Sequence, residues 1–576
     1  MGFLPAINGL FEDGQGEFIL PRQFGMDRGF QGANQVFAER MQQLGNYKIS
    51  SDSGSIISYQ EEAMEEEAYR LLIKDEKIII YASGEKGYYY GLTTLYQMAA
   101  MGQGKVKNCT ISDKPRMERR GVMLDVCRHF FMADEVKKII EQSALLKMNQ
   151  FHWKLSEDQG FRIESTRFPE LNKISSYRNL AAADQKVLNG LAEAGDSYGG
   201  YYTKEEIRDV VSFAKARQVE VIPEISMPGH SSAILAAFPE FTCTGKPMMV
   251  KNTFGIHERI FCSGNEAVFE FLYQLLDEVC ELFPSSYIHL GGDEAPKTAW
   301  KSCPACNKVM EEKGLKSYEQ LQTYFSGKVI EHIKKNGKTP IVWNESAIAG
   351  NLDEKAVIQY WIEMAPGPSY VTPELEKGRK VLLSSMNQFY CDYSYAEIPL
   401  RATLLYEPEI KGTKVPMENV LGIEAPMWTE WTPENKDIEK MMYPRLLAVA
   451  ECGWTHERDW ADFSKRAKHY LSVNGLNLLK PMPWEDATIH GQDALEMIAQ
   501  KMLELAQKYE NVSRSSDDEE AGKAEAVLPE DSQPLDMAEM MRSFMEDKMK
   551  AAYTQEEIEQ VLQIMAAAMN GENIND

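Results

Sequence analysis

The amino-acid sequence predicts a (β/α)8 barrel, preceded by a small α/β domain and followed by a C-terminal helical extension. Three observations support this fold class. Eight short apolar runs lie between about residues 116 and 477, amphipathic helical patterns separate them, and chemically reactive side chains follow the runs. Apolar runs that alternate with amphipathic helices are typical of βα units and a parallel sheet. An open doubly wound sheet is the alternative arrangement of such units.

The apolar runs are the expected barrel strands. They are Gly121–Asp125, Gln150–Leu155, Glu220–Glu224, Tyr287–Leu290, Thr339–Trp343, Ala356–Tyr360, Lys380–Ser384 and Leu421–Glu424. The segments between them favour helices. Thr203 and Glu206 form a capping box at the start of one helix. Another helix is expected from Tyr318 to Lys335, where Asn336 and Gly337 tolerate the left-handed conformation that ends helices.

The length of 576 residues predicts more than one domain, because a single hydrophobic core rarely grows to that size. We expect a small α/β domain over residues 1–113, with a strand at residues 78–81 and a helix at residues 87–101. The barrel is expected over residues 114–478. Residues 479–576 are expected to form the helical extension, with a flexible acidic linker near 512–534 that is rich in Ser, Asp, Glu and Pro.

The chain is strongly acidic, with 62 Lys and Arg residues against 87 Asp and Glu residues and a formal net charge of −25. Such a surface disfavours nucleic acid and anionic membranes as partners. No apolar run reaches the roughly 18 residues that span a bilayer. The first residues lack the basic and apolar regions of a secretory signal, which predicts a cytoplasmic protein. A homo-oligomer is compatible with the sequence.

The nine cysteines predict neither a disulfide framework nor a metal site. Six of them lie in or beside apolar segments and are expected to be buried, reduced thiols: Cys127, Cys243, Cys262, Cys280, Cys391 and Cys452. Cys303 and Cys306 form a CxxC pair, but a tetrahedral zinc site needs four ligands, and no second CxxC or HxxxH pair completes one. We therefore expect a surface turn with two thiols, and no metal or other cofactor.

The residues that follow the expected strands share the chemistry of a sugar-binding site. In a (β/α)8 barrel the catalytic groups come from the C-terminal ends of the strands. Here those positions carry acids, indoles, a phenol, an arginine and a histidine: Asp125, Arg128, Glu157, Asp158, Glu224, His230, Asp293, Glu294, Trp343, Glu345, Trp361, Tyr390, Asp392, Trp428 and Glu430. Carboxylates bind sugar hydroxyls, and aromatic rings stack on sugar faces.

The strongest local pattern is the run from His289 through Gly291, Gly292, Asp293 and Glu294. Two glycines after a buried strand allow a sharp turn and a close approach to a ligand. Adjacent carboxylates repel each other, so one is easily kept protonated while the other is ionised. The pattern therefore favours acid catalysis by this pair.

In this setting the His-x-Gly-Gly-Asp-Glu run resembles the signature of glycoside hydrolase family 20, the β-N-acetylhexosaminidases. Four further stretches resemble motifs of that family and occur in its order: residues 120–130, 152–160, 222–230 and 425–430. The resemblance covers about residues 116 to 460, and the N-terminal segment is similar to the small domain of these enzymes. The C-terminal helices are not covered.

The resemblance implies an exo-acting, retaining enzyme that removes terminal β-linked GlcNAc or GalNAc through an oxazolinium intermediate. It implies that Glu294 is the general acid and base, that Asp293 orients the acetamido group, and that Tyr390 binds the acetamido oxygen. His230 would support Glu294, with Glu157 orienting the histidine. The other implied residues bind the substrate, three as a cage around the N-acetyl group and three at ring hydroxyls: Trp343, Trp361, Trp428, Arg120, Asp392 and Glu430.

Three positions depart from the family pattern. The family usually has Asp at 157 and 226 and His at 154, where this sequence has Glu157, Ser226 and Lys154. Glu157 adds a methylene that can displace the hydrogen bond to His230. The departures at Glu157 and Ser226 leave open a carbohydrate-binding or scaffold protein that has lost turnover. A metal-dependent hydrolase that uses the strand-end acids and His230 is a further alternative.

Overall fold

The computed structural model describes residues 2–27, 29–50, 54–180, 195–362, 367–395, 397–410 and 413–476. The chain divides into two compact units, one formed by residues 1–392 and 403–478 and the other by residues 393–402 and 479–576. The predicted helical extension and its linker near 512–534 lie outside the described residues. Within the described residues, no helix is long and apolar enough to cross a membrane.

The N-terminal part of the first unit is a seven-stranded mixed sheet with two helices. In chain order its strands are Leu10–Ile19, Gln23–Met26, Lys48–Ser50, Ser55–Glu61, Tyr69–Lys74, Lys77–Ala82 and Lys105–Asp113. The helices are Gln31–Gly45 and Glu85–Met101. The second helix lies so close to the sheet that a Cβ atom at Gly91 would stand 2.6 Å from Ile80. The strand and the helix predicted in this region are confirmed.

Eight parallel strands close into a barrel, which confirms the predicted fold class. Numbered in chain order as barrel strands 1 to 8, they are Arg119–Asp125, Gln150–Lys154, Glu220–Glu224, Tyr287–His289, Thr339–Trp343, Val357–Tyr360, Val381–Leu383 and Val420–Met427. Strand 8 pairs with strand 1 and closes the ring. Each strand overlaps an apolar run of the sequence, because strands that are buried on both faces are almost continuously apolar.

Helices follow or separate the barrel strands. They are Ala133–Leu145, Lys204–Ala216, Ser232–Ala237, Glu266–Leu282, Thr298–Lys301, Pro304–Lys313, Tyr318–Lys335, Gly367–Glu376, Leu400–Leu404, Asn435–Met442, Arg445–Trp454 and Trp460–Asn474. The predicted capping box is present, since the Thr203 side chain accepts from the Glu206 amide. At Asn336-Gly337, only the glycine takes a left-handed conformation, with φ 73°.

Arg120 joins the barrel to the N-terminal sheet domain, so its expected role in substrate binding is wrong. It lies at the N-terminal end of strand 1, whereas the site groups follow the C-terminal strand ends. Its buried guanidinium binds Glu67 at 2.7 Å, the Tyr90 hydroxyl at 3.2 Å and the Lys147 carbonyl at 2.9 Å. These contacts hold the side chain beneath the barrel.

Cys303 and Cys306 also differ from expectation. The CxxC pair is buried and begins the helix Pro304–Lys313, with Cys303 at the N-cap. The backbone of Gly264 packs directly on it, because a Cβ atom at Gly264 would lie 2.3 Å from the carbonyl carbon of Ala305. The predicted surface turn is therefore wrong: a neighbouring loop covers the pair.

Candidate active site

His230, which follows strand 3, is the centre of a group of acids contributed by the ends of strands 2 and 4. Its Nδ1 atom lies 2.6 Å from Glu157 and 3.1 Å from Asp158, both of which follow strand 2. Its Nε2 atom lies 3.5 Å from Asp293 and 3.3 Å from Glu294, which follow strand 4. The imidazole thus connects an inner pair of acids to an outer pair. Glu157 is one methylene longer than the aspartate of the family pattern, and its carboxylate still contacts the imidazole of His230.

The backbone at this centre takes conformations that side chains rarely adopt. His230 has φ 49° and Glu294 has φ 43°, and the two glycines before Asp293 are also left-handed. A Cβ atom at Gly292 would stand 2.1 Å from the Ser346 hydroxyl. Left-handed residues other than glycine cost about 1–3 kcal/mol each and cluster at functional sites. The close approach of Ser346 explains why residue 292 is a glycine. The strained backbone indicates that the surrounding structure holds His230 and Glu294 in place for a function.

Burial and neighbouring charges shift the pKa values of His230 and Asp293. Although burial opposes the charged form, Glu157 and Asp293 raise the pKa of His230 well above its ordinary value. Burial raises the pKa of Asp293 to about 6, although His230 and Lys154 oppose the rise. The Glu294 side chain is 35% exposed, against 11% for Asp293. The more accessible carboxyl is therefore the one that can reach a leaving group.

Lys154 connects the positions that depart from the family pattern. Its Nζ atom lies 3.0 Å from Glu157, 3.0 Å from Glu224 and 2.8 Å from the Ser226 hydroxyl. Although burial opposes its charge, Glu224 and Glu157 raise the pKa of Lys154 above its ordinary value. A charged lysine therefore stands in the barrel interior. Burial alone would raise the pKa of Glu157, but the charges of Arg128 and His230 outweigh it and hold that pKa well below its ordinary value.

Beneath Lys154, the barrel interior continues as a polar network. His152 bridges two buried acids, since its ring nitrogens lie 2.9 Å from Glu224 and 2.9 Å from Glu424. Although burial opposes the charge, Glu424 and Glu224 raise the pKa of His152 to about 9. The ring stacks on His289 with centroids 4.6 Å apart. This network fixes Glu224, and through it Lys154.

Four aromatic side chains, which lie at or after the C-terminal ends of strands 5 to 8, form a wall at the same side of the barrel as the carboxyl pair. Trp343, Trp428 and Tyr390 form a chain of neighbours, with ring centroids 6.0 Å and 6.1 Å apart. Trp361 stacks on Tyr390 at 6.4 Å with an interplanar angle of 16°. Trp343 donates to Glu224 at 3.1 Å, which fixes its indole. All four residues follow barrel strands, as the sequence predicted.

Arg128 occupies the part of the site for which the sequence suggested Arg120. Its guanidinium lies 3.1 Å from Asp125, 3.4 Å from Glu157 and 3.5 Å from Glu430, and it stands over the Trp428 ring. Glu430 remains partly exposed, with 24% of its side chain accessible. Burial raises the pKa of Glu430, although Arg128 opposes the rise. The carboxyl group of Glu430 and the guanidinium of Arg128 thus lie together beside the Trp428 ring, at the C-terminal side of the barrel.

Glu345 is a site residue to which the sequence assigned no role. It follows strand 5 and accepts from the Trp361 indole at 2.8 Å. Burial and the Asp293 carboxylate raise the pKa of Glu345 to about 8. Its position directly after a barrel strand was the available signal. Asp392, two residues beyond Tyr390, is half-buried.

Two groups near the barrel centre bring acids and imidazoles close enough to hold a metal ion: His152, Glu224 and His289, and Glu157, Asp158 and His230. In both groups an imidazole lies within hydrogen-bond distance of acids: His152 contacts Glu224, and His230 contacts Glu157 and Asp158. A third group, of four cysteines, lies in the segments that follow strands 3 and 4.

The fold and the site together define a glycoside hydrolase, because such enzymes carry out acid and base catalysis with carboxyl groups, which this barrel presents at its C-terminal strand ends. The family model of the glycosyl hydrolase family 20 catalytic domain matches residues 118–457, and that of the family's domain 2 matches residues 4–114. The chain belongs to glycosyl hydrolase family 20.

Several named proteins and solved structures are similar to this chain. A β-hexosaminidase of Porphyromonas gingivalis is 34% identical over 446 residues, which cover 73% of this chain but only 55% of that protein. A β-hexosaminidase of Akkermansia muciniphila is 32% identical, covering 70% of this chain and 83% of that protein. The crystal structure of a family 20 exo-β-N-acetylglucosaminidase from Vibrio harveyi, in complex with N-acetylglucosamine, superposes with a TM-score of 0.74. It has 29% identity and covers 84% of this chain and 78% of that one.

Proposed function

We propose that this chain is an exo-acting, retaining β-N-acetylhexosaminidase that removes terminal β-linked GlcNAc or GalNAc from oligosaccharides or glycoconjugates. The aromatic wall at the same side of the barrel as Asp293 and Glu294 is the observation that carries the proposal. Indole faces suit the methyl group of an N-acetyl substituent and the apolar face of a sugar ring. The phenol of Tyr390 suits the amide oxygen, and a carboxylate suits the amide N–H.

In the proposed mechanism the acetamido group of the substrate is the nucleophile. Its oxygen is tethered beside the anomeric carbon, so the attack has a high effective molarity and needs no enzymic nucleophile. Asp293 accepts from the acetamido N–H and stabilises the positive charge that develops as the oxazolinium ring closes. Tyr390 donates to the acetamido oxygen and holds it in line. Trp343, Trp361 and Trp428 exclude water from the forming ring.

Glu294 is proposed as the general acid that protonates the glycosidic oxygen and then as the base that activates water. Its partial exposure leaves room for a leaving group. His230, 3.3 Å away, is a positioning residue that fixes the carboxyl. Glu157 and Asp158 in turn orient the imidazole. The raised pKa of His230 keeps a positive charge beside both catalytic carboxyls.

The hydroxyl groups of the terminal sugar are proposed to bind Glu430, Asp392 and Arg128, the last in place of Arg120. Charged groups at this end of the pocket would block a longer chain at the non-reducing side and so restrict the enzyme to terminal residues. The cytoplasmic location and the homo-oligomer stay predictions.

The proposal is tested by comparing aryl β-N-acetylglucosaminide, β-N-acetylgalactosaminide and β-glucoside substrates. Turnover should require the 2-acetamido group, and a thiazoline analogue of the oxazolinium ion should inhibit tightly. The first product seen by proton NMR should be the β-anomer, and a chitin oligosaccharide should lose single sugars from one end. Comparable rates on the β-glucoside would overturn the mechanism. Binding of N-acetylglucosamine without turnover would favour the carbohydrate-binding alternative.

A further inference from the structure

We propose that Cys243, Cys262, Cys303 and Cys306 bind a structural zinc ion. The four sulfur atoms, which are far apart in the sequence, lie within 4.8 Å of one another. Cys262 is 3.8 Å from Cys303 and 3.7 Å from Cys306, and Cys243 is 3.8 Å from Cys306. In a tetrahedral tetrathiolate site with Zn–S bonds of about 2.3 Å, neighbouring sulfur atoms are about 3.8 Å apart. Three of the six sulfur pairs thus already have this spacing.

The local structure supports thiolate ligands. Cys303 and Cys306 begin the ten-residue helix Pro304–Lys313, where the helix dipole and free amides stabilise negative charge. Gly264, two residues after Cys262, packs on the start of this helix, because a Cβ atom there would lie 2.5 Å from the Cys306 amide nitrogen.

The surroundings exclude solvent from three of the four ligands. Cys262, Cys303 and Cys306 are buried, whereas Cys243 is partly exposed and gives an ion a way in. Ile260, Trp300 and Leu321 pack around the cluster. Four sulfur ligands, three of them buried, are typical of structural zinc, and iron is the other metal that such a set binds.

A zinc ion here would connect two catalytic loops. Cys243 and Cys262 lie in the segment after strand 3, which also carries His230. Cys303 and Cys306 lie in the segment after strand 4, which also carries Asp293 and Glu294. The two segments are joined again nearby, where the Trp300 indole donates to the Phe261 carbonyl at 2.8 Å. Within the first segment, the Phe261 amide donates to the Pro228 carbonyl at 3.1 Å, close to His230 in the sequence.

The ion would therefore stabilise the loops rather than take part in the reaction. Because the four sulfurs fill its coordination, no position is left for water or substrate, as is usual for structural zinc. The inference is independent of the proposed function, since a zinc content can be measured whether or not the chain hydrolyses any glycoside.

The full chain, purified without chelator, should contain about one zinc ion per molecule by mass spectrometry of the elements. A mercurial that reacts with thiols should release it to a zinc-sensitive dye. Cys262→Ser and Cys306→Ser should lose most of the zinc and unfold at a lower temperature. Cys280→Ser removes a half-buried thiol outside the cluster and should retain zinc, which makes it the matched control.

Two measurements on the unaltered chain hold even if the variants fail to fold. Cobalt in place of zinc should give the sulfur-to-metal charge-transfer absorption of a tetrahedral tetrathiolate. A thiol titration of the unfolded chain should find all nine cysteines reduced. A zinc-free chain, an iron content in place of zinc, or four missing thiols that indicate two disulfides would each overturn the proposal, as would full zinc retention by a folded Cys306→Ser variant.

Discussion

The Nζ atom of Lys154 lies 3.0 Å from the Oε2 atom of Glu157 in the barrel interior, where both side chains are buried. Lys154 also contacts Ser226, so the three positions that depart from the family pattern are neighbours in space. Lys154 brings a permanent positive charge, Glu157 is a longer acid that reaches it, and Ser226 replaces an acid with a hydroxyl group. The three departures together form one altered ion-pair arrangement beneath His230.

This arrangement predicts strong coupling between Lys154 and Glu157. In a double-mutant cycle of Lys154→Met and Glu157→Gln, the double variant should lose less free energy of unfolding than the two single variants together. Each single change removes one partner of a buried charge, whereas Glu157 keeps Arg128 and His230, and Lys154 keeps Glu224. Each should therefore cost less than the roughly 3–5 kcal/mol of a buried charge left wholly unpaired. The coupling should be about 1–3 kcal/mol by denaturant unfolding. The exposed pair Lys137 and Asp209 is the control cycle and should give less than about 1 kcal/mol. Equal coupling in both cycles would contradict the buried ion pair.

Asp293 predicts the acidic side of the pH profile. The ionised carboxylate is the active form, so activity is present above its pKa and is lost as the pH falls through that value. Because the pKa of Asp293 is raised to about 6 in the free enzyme, kcat/KM should decline below about pH 6. Asp293→Asn keeps the shape and removes the charge. It should lower kcat by a few orders of magnitude, or about 3–4 kcal/mol, and remove this limb. A near-normal kcat for the variant would reduce Asp293 to a turn residue.

Glu294 predicts a dependence on the leaving group. Glu294→Gln should slow the hydrolysis of unactivated oligosaccharides by about 10²-fold or more, which is the typical contribution of general acid catalysis. Aryl substrates with good leaving groups need little protonation, so their glycosylation step should slow much less. Pre-steady-state rates on both substrate types measure the difference. Equal losses on the two would argue against Glu294 as the acid.

Arg120 and Arg128 predict opposite outcomes for the same substitution. Arg120→Met should lower stability by about 3–5 kcal/mol, because it leaves Glu67 without its ion pair. The folded fraction should keep its kcat and KM. Arg128→Met removes a group at the mouth of the site and should reduce kcat/KM for the folded enzyme as well. Kinetics normalised to active-site titration separate the two effects, and unaltered kinetics in Arg128→Met would exclude Arg128 from sugar binding.

The sequence predicted all eight barrel strands, because buried parallel strands are apolar along their whole length. It also predicted that the candidate site residues gather at one side of the barrel, since the C-terminal strand ends share that side. It failed for Arg120 because a motif does not state the direction of a side chain along a strand. Arg120 and Arg128 lie in one motif, yet strand 1 runs between them and places them at opposite ends of the barrel.

The cysteine group could not be predicted for a different reason. Cys243 and Cys262 are separated from the CxxC pair by strand 4 and a long helix, and no local pattern relates them. Only the packing of one loop on another, at Gly264, brings them together. Likewise, the contact of Lys154 with both Glu157 and Ser226 depends on the pairing of strands 2 and 3, which places Lys154 opposite Glu224.

The buried contacts between Arg120 and the N-terminal sheet domain have a consequence for how this chain can be divided. Lys147 is bound in the same way, 2.7 Å from Asp113 at the end of that sheet. A barrel expressed alone would expose two cations whose only close acids, among the described residues, were removed with the sheet domain. Exchange of the sheet domain for that of another enzyme would need matching acids at two places. The sheet domain and the barrel should therefore be expressed or exchanged together, even though each has its own sheet.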